Sequence, residues 1–260
     1  MPGEIMVTRD GDLATVALSN PGKLNALNAA MWRALGEALT ALSAEDGLRC
    51  VVLRGAGEQA FAAGGDIEEF ARLRDTEERA LAYHEWVGAA LAAIRDCRHP
   101  TLALIRGHCI GGGLEIAAQC DLRICGESSR FGVPISKLGF TMYHAELAGL
   151  VALAGPAVAL ELLLEGRILP AREACAKGLV TRVVPDERVE EETLACARRI
   201  AAGAPLVATW HKKLVRRLAF TPAPLSPAEI RENLAWLGTD DYREGIAAFV
   251  AKRAPRFTGR

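Results

Sequence analysis

The apolar positions of the chain change period from segment to segment, and those changes mark out its elements. Residues 5–8 and 13–18 are apolar or β-branched runs on either side of Asp10-Gly11-Asp12, which predicts a hairpin. Asn28 suits the cap of a helix whose apolar residues Met31, Leu35, Ala38, Leu39 and Leu42 recur at the helical period, with Gly47 ending it. Residues 50–53 read as a short buried strand closed by Arg54-Gly55. Residues 76–95 predict a long helix with Leu81, Val87, Leu91 and Ile94 on its apolar side. Further on, residues 171–177 with Gly178 as C-cap lead to a short strand at 179–184. Pro185 then turns the chain into a helix near 189–202. From Pro205 nearly everything reads as helices separated by Pro and Gly, with a Pro-rich link at 221–227.

A weak internal echo runs through this pattern. Residues 51–55 (VVLRG) lead to Ala63-Gly64-Gly65 and a helix from Asp66. Residues 102–107 (LALIRG) lead to Gly111-Gly112-Gly113 and a helix through Glu115. Both read strand, Arg-Gly, Gly-rich turn, helix, and they suggest a layered α/β arrangement of repeated modules.

Composition narrows the picture. The 260 residues carry 31 Lys+Arg and 32 Asp+Glu, a net charge of 31 − 32 = −1. That balance supplies no drive toward nucleic acid or an acidic membrane. The seven cysteines are an odd number without a C-x-x-C pair, so buried free thiols in a reducing cytoplasm are expected and a zinc site is not. The first residues are no signal peptide. The richest apolar stretch, 147–164, is broken by Gly149, Gly155, Pro156 and Glu161, so no membrane span is expected. The length allows one large domain, divided coarsely into a core of residues 1–200 and a helical region of residues 201–260.

The Gly-rich turns carry the candidate chemistry. Backbone N–H groups at a helix start lack intrahelical partners, so two facing turns can bind an anion or a developing oxyanion. Taken alone, the same glycines could serve only close helix–strand packing. The spacing of Gly111-Gly112-Gly113 does not match a dinucleotide-binding G-x-G-x-x-G.

Here the motifs become specific. Residues 61–67 (FAAGGDI) are similar to the F-x-A-G-x-D-I/L segment of the crotonase superfamily, the enoyl-CoA hydratase/isomerase family. Residues 107–115 (GHCIGGGLE) resemble that family's G-x-x-x-G-G-G-x-E segment. Residues 20–27 (NPGKLNAL) resemble its N-x-P-x-x-x-N-A-L opening, with the proline shifted by one place. Phe131-Gly132, Pro134, Gly139 and residues 241–257 fall in family order, so the resemblance covers essentially the whole chain. It implies an α/β crotonase-like spiral of repeated ββα units with a C-terminal α-helical region for trimerisation and CoA contact. The assembly implied is a homotrimer or a dimer of trimers. The resemblance also implies that the N–H groups of Gly65 and Gly112 polarise a thioester carbonyl. Lys23, Leu24, Ala26, Ala63 and Ile67 would line the CoA path. Phe249 and Lys252 would reach CoA, often from a neighbouring subunit. Glu115 would activate water. No metal and no cofactor are implied, because the CoA thioester itself activates the α- and β-carbons.

The pattern breaks at one place. The family's second glutamate, on F-G-x-P-E, is matched here by Ile135, which transfers no proton. The P-G-x-G-G loop is replaced by residues 142–146 (MYHAE), where Tyr143, His144 or Glu146 could supply the missing acid. Glu146 is the first choice because it preserves the chemical group. Tyr83 and His84 lie on a helix that borders the acyl pocket in the family, where they could shape the site or simply pack. Addition of water to an enoyl-CoA is therefore the expected activity. The alternatives are a single-carboxylate isomerase, other enolate chemistry such as decarboxylation, or a weakly catalytic acyl-CoA-binding protein. The basic residues Lys212, Lys213, Arg216 and Arg217 share a helical spacing and suggest a solvated face or a subunit contact.

Overall fold

The computed structural model describes residues 3–221 and 223–260, with Phe220 described by its backbone alone. The expected hairpin is β1 (Glu4–Asp10) and β2 (Leu13–Ser19), antiparallel with Asp10 opposite Leu13. Asn28 caps α1 (Ala29–Ser43) by accepting from the Met31 N–H at 2.8 Å. The helix stops at Ser43, short of Gly47.

Three ββα steps follow. β3 (Cys50–Gly55) and β4 (Ala60–Ala62) lead to α2 (Ile67–Leu73) and α3 (Glu77–Asp96). β5 (Thr101–Ile105) and β6 (His108–Ile110) lead to α4 (Gly112–Gln119). β7 (Leu122–Gly126) and β8 (Arg130–Gly132) lead through a single 3-10 turn, Ile135–Leu138, to α5 (His144–Glu165). The first strands of the three steps are parallel neighbours in a six-stranded sheet of order β1-β2-β3-β5-β7-β10, closed by β10 (Arg182–Val184). The second strands are parallel neighbours in a four-stranded sheet, β4-β6-β8-β9, with β9 (Ile168–Pro170) antiparallel at its edge. This is the expected spiral. Its third step has no Gly-rich turn, which is why the sequence echo shows only two.

The Arg-Gly pairs that end β3 and β5 have a steric reason. A Cβ on Gly55 would lie 2.1 Å from the Ala60 carbonyl oxygen, and one on Gly107 would lie 1.8 Å from that of Gln59. Each glycine lets the chain pass closely over the entry to β4. The preceding arginines, Arg54 and Arg106, converge on one acid, Glu190, at 3.0 and 3.5 Å. Glu190 sits on α7 (Val189–Ala201), after α6 (Ala171–Ala176).

The core lies between the sheets and helices α1, α3 and α4, with Trp32, Phe61 and Phe131 fully buried. The apolar side of α3 differs from the expectation at one residue. Leu81 is 45% exposed, while Tyr83, His84, Val87, Leu91 and Ile94 face inward. Counting back from Ile94 by three and four residues reaches Leu91, Val87, His84 and Tyr83, and the inward side of the helix ends there. By length and composition α5 could cross a membrane, but it bends at Gly155 (φ 78, ψ 167), followed by Pro156. Six of the seven cysteines are buried and all are free thiols.

The C-terminal helices are α8 (Pro205–Phe220), α9 (Pro227–Glu232) and α10 (Asp240–Val250). Of the basic cluster on α8, Lys213 is solvated as expected, while Lys212, Arg216 and Arg217 are largely turned from solvent. Lys212 and Arg216 pair with Asp121 at 2.9 and 2.8 Å, Arg217 pairs with Glu229 at 2.6 Å, and Lys213 pairs with Glu232. Burial alone would push the Asp121 carboxyl up, but the two cations outweigh it and hold it below its ordinary value. The pairs with Asp121 tether α8 to the start of β7, and the other two join it to α9.

Candidate active site

Two turns meet at the head of α2 and α4. The Leu27 N–H donates to the Gly64 carbonyl and the Asp66 N–H to the Leu27 carbonyl, both at 2.8 Å. The Gly65 N–H between them has no acceptor among the described residues. In the second turn the Gly111 N–H donates to the Gly132 carbonyl at 2.9 Å and the Glu115 N–H to the Gly111 carbonyl at 2.9 Å. The Gly112 N–H, first in α4, likewise has no acceptor among the described residues. Gly111 holds φ 49, ψ −118, a conformation that a side chain would oppose, and no side chain caps the helix. The turns are in contact: a Cβ on Gly112 would lie 3.5 Å from the Gly64 carbonyl carbon. Two free amide donors thus open on one cavity of about 140 Å³.

Two carboxyls share that cavity. Glu115 lies in the first turn of α4, where every residue is buried, and it makes no hydrogen bond through its side chain among the described residues. Burial pushes its carboxyl well above the usual range, the neighbouring Glu146 adds to the shift, and the Arg74 charge opposes it. Glu146 comes from a different element, the start of α5, and is also buried. One oxygen, Oε2, accepts from the Tyr143 backbone N–H at 3.1 Å, the reach-back half of a capping box. The other, Oε1, lies 2.8 Å from His84 Nδ1. Glu146 is therefore both a helix-start acid and a cavity residue.

Around these carboxyls the walls are aromatic. The Tyr143 ring stacks on His84 with centroids 4.4 Å apart. The Tyr83 hydroxyl accepts from Trp32 Nε1 at 3.2 Å, and burial raises its pKa. The Arg74 guanidinium lies 4.5 Å from the ring centres of both Phe70 and Phe140. Ile135, in the family's glutamate position, forms part of the cavity wall.

The other expected binding residues divide into two groups. Ala63 and Ile67 line the cavity, and Ile67 is half-exposed at its rim. The Ala63 N–H donates to the Leu24 carbonyl at 3.0 Å, which brings the 23–26 loop alongside. There Ala26 is buried and Leu24 exposed, while Lys23 pairs with Asp66 and Glu68 at 2.8 and 2.7 Å, raising its pKa to about 12. Phe249 and Lys252 lie at the far end of the chain. Phe249 is 84% exposed, and neither lines the cavity in the single chain. Sequence reasoning missed Arg74, Phe70 and Phe140 as cavity residues. It flagged His84 without its contact to Glu146. The carriers of such a signal are scattered over three segments, and no motif joins them.

Comparison with known proteins agrees with this geometry. The family model described as enoyl-CoA hydratase/isomerase matches residues 8–260. A Rhizobium meliloti protein named "Probable enoyl-CoA hydratase" is 38% identical over 98% of each chain. Among solved structures, an enoyl-CoA hydratase/carnithine racemase from Magnetospirillum magneticum superposes with a TM-score of 0.96. It has 51% identity and covers 98% of this chain and 96% of its own. The enoyl-CoA hydratase of Bacillus anthracis gives a TM-score of 0.90 at 30% identity, covering 99% of this chain and 100% of its own.

Proposed function

The chain belongs to the enoyl-CoA hydratase/isomerase family, and we propose that Glu115 and Glu146 are the acid–base pair with which it adds water across the 2,3 double bond of an enoyl-CoA. One observation carries this reading: Glu146, from the replaced loop, lies in the same cavity as Glu115 although Ile135 holds the usual second position. A double-bond shift can proceed with one base. A buried pair fits the two proton transfers of hydration better.

In this reading the thioester oxygen sits between the Gly65 and Gly112 amides. Those donors stabilise negative charge as it grows on the oxygen, in a cavity of low polarity set back from bulk solvent. One carboxylate takes a proton from water as its oxygen bonds to the β-carbon. The electron pair moves to the thioester oxygen as an enolate, and the other carboxyl delivers its proton to the α-carbon. A proton then passes back between the two carboxyls to restore the starting state. The thioester supplies the activation, so the scheme calls for no metal or cofactor.

Lys23, Leu24, Ala26, Ala63 and Ile67 are read as the CoA path, with Leu24 and Ile67 as apolar rim and Lys23 as a cation near the phosphates. Residues 201–260 are read as the assembly region of a trimer or dimer of trimers in the cytoplasm. Its support is the uncovered apolar side of α10, where Ile246, Phe249 and Val250 are exposed. Assembly would place Phe249 and Lys252 of one copy near the CoA of another.

The test is loss of ultraviolet absorbance of crotonyl-CoA with wild-type protein and with Glu146→Gln. Loss in the wild type, slowed about 10²–10⁴-fold in the variant, is expected. Full activity in Glu146→Gln would exclude Glu146 from the pair.

A further inference from the structure

We propose that Arg74 and His84 are positioning residues that fix Glu146 as the ionised, water-activating member of the pair and leave Glu115 as the proton donor. The proposal rests on the two-carboxylate reading above and assigns its roles, reversing the role that family resemblance implies for Glu115.

Arg74 anchors the relay. A guanidinium has donors and no acceptor, and it stays charged. Its Nη2 lies 3.4 Å from His84 Nε2, so that ring nitrogen must accept. A proton on Nε2 would face a cation that has nothing to accept it with. Arg74 is held in place by Phe70 and Phe140 and forms no ion pair among the described residues. With Nε2 accepting, the ring proton resides on Nδ1, which is 2.8 Å from Glu146 Oε1. His84 therefore donates to Glu146.

The remaining oxygen of Glu146 faces another donor, the Tyr143 N–H, at 3.1 Å. Both oxygens thus accept, an arrangement suited to a carboxylate and opposed to a carboxylic acid. Glu115 has the opposite surroundings, with apolar burial and no donor, and these favour the protonated form. Hydrogen-bond surroundings of opposite kind at two neighbouring carboxyls assign acid and base.

Around Glu146, helix α3 contributes His84 and Tyr83, with Gly88 close to Ala145 as the point of helix contact. The segment after α2 contributes Arg74, and α4 contributes Glu115. On its own side lie Tyr143 and His144, whose rings are 4.2 Å apart. Of the charged groups near the pair, only Arg74 is permanently cationic. It reaches Glu146 through the His84 ring.

Two measurements test the assignment. The first needs no turnover: ¹⁵N chemical shifts of the His84 ring in the wild-type protein at neutral pH. A neutral ring protonated on Nδ1 is expected. A neutral ring protonated on Nε2 would overturn the proposal, even if the protein proved not to hydrate any enoyl-CoA. The second is the pH dependence of crotonyl-CoA hydration in His84→Leu and His84→Asn, since the Asn amide can donate from near the Nδ1 position. In His84→Leu the acid limb of kcat/KM should move to higher pH. In that variant kcat should fall about 10- to 100-fold, as for loss of a hydrogen bond to a charged group, with KM little changed. His84→Asn should restore most of both. Equal behaviour of the two variants, with the acid limb unmoved, would reduce His84 to a packing residue. A wild type that leaves crotonyl-CoA unchanged but shows the Nδ1 proton would refute hydration of that substrate and retain the positioning role.

Discussion

The two Gly-rich turns begin alike and end differently. The first feeds α2, a seven-residue helix with no buried residue, capped by the Asp66 side chain. The second feeds α4, in which all eight residues are buried and no side chain caps the start. The fourth residue of each helix faces the cavity: Phe70 in α2, Glu115 in α4. One module thus supplies an amide donor and an apolar wall on which Arg74 stacks. The other supplies an amide donor and an acid. Duplicating a strand–turn–helix step gives two donors at the price of little sequence, and the chemistry then depends on which residue occupies the fourth helical place.

The largest expected effect separates those two places. Glu115→Gln should lower kcat/KM for crotonyl-CoA by about 10²–10⁴. Neutralising Glu68 or Glu69, which lie in the first turn of α2 and face away from the cavity, should change it little. The same Glu115→Gln variant should gain stability. The folded-state pKa of Glu115 is raised, so its contribution to stability is complete below the ordinary value of 4.5 and is lost as pH rises through the raised one. Glutamine carries no such penalty. The melting temperature of the variant should therefore rise relative to wild type between pH 4.5 and neutral pH. A gap that shrinks with pH would contradict the burial argument.

Next in size is a test of whether the turns are equivalent as donors. Gly65→Pro removes one N–H and should cost about 10²–10³ in kcat. Gly65→Ala keeps it. Its Cβ would meet Phe70 Cζ at 3.0 Å, the end of a side chain that can move, so the loss should stay near tenfold or less. If both variants behave alike, crowding of Phe70 and not the amide explains the effect.

How far the sequence carried the reading follows the same division. The turns, Glu115, the cap at Asn28 and the helix start at Asp66 are local features, each held within a few residues, and they were legible. The third ββα step was not, because Leu122–Gly126 and Arg130–Gly132 lead into a 3-10 turn in place of a glycine-rich one. Glu146 could be ranked first among its loop by chemistry alone. Its place beside Glu115 depends on how α5 packs against α4. The relay from Arg74 through His84 joins residues 10 and 62 positions apart, across three helices, and only tertiary packing brings it together. The basic residues of α8 misled for the same reason, since Asp121, the partner of Lys212 and Arg216, lies more than 90 residues away.

The smallest expected effect concerns the cap itself. Asp66 accepts from the Glu68 N–H at 3.3 Å and pairs with Lys23 at 2.8 Å, so it closes the head of α2 and ties the 23–26 loop to it. Asp66→Ala should cost about 0.5–2 kcal/mol, the usual worth of an N-cap. That corresponds to roughly 2–4 °C in melting temperature per kcal/mol for a chain of this size. The surface pair with Lys23 adds little, since Lys23 keeps Glu68. Because α2 buries no residue fully and its far end, Phe70 and Leu73, packs against the core, loosening of its capped end should leave Arg74, Glu115, Glu146 and the α4 amide in place. The variant should retain kcat within about twofold, with any loss appearing in KM as the rim at Leu24 and Ile67 relaxes. A fall in kcat equal to that of Glu115→Gln would show that the first turn holds the geometry of the second, and that the two modules are one device.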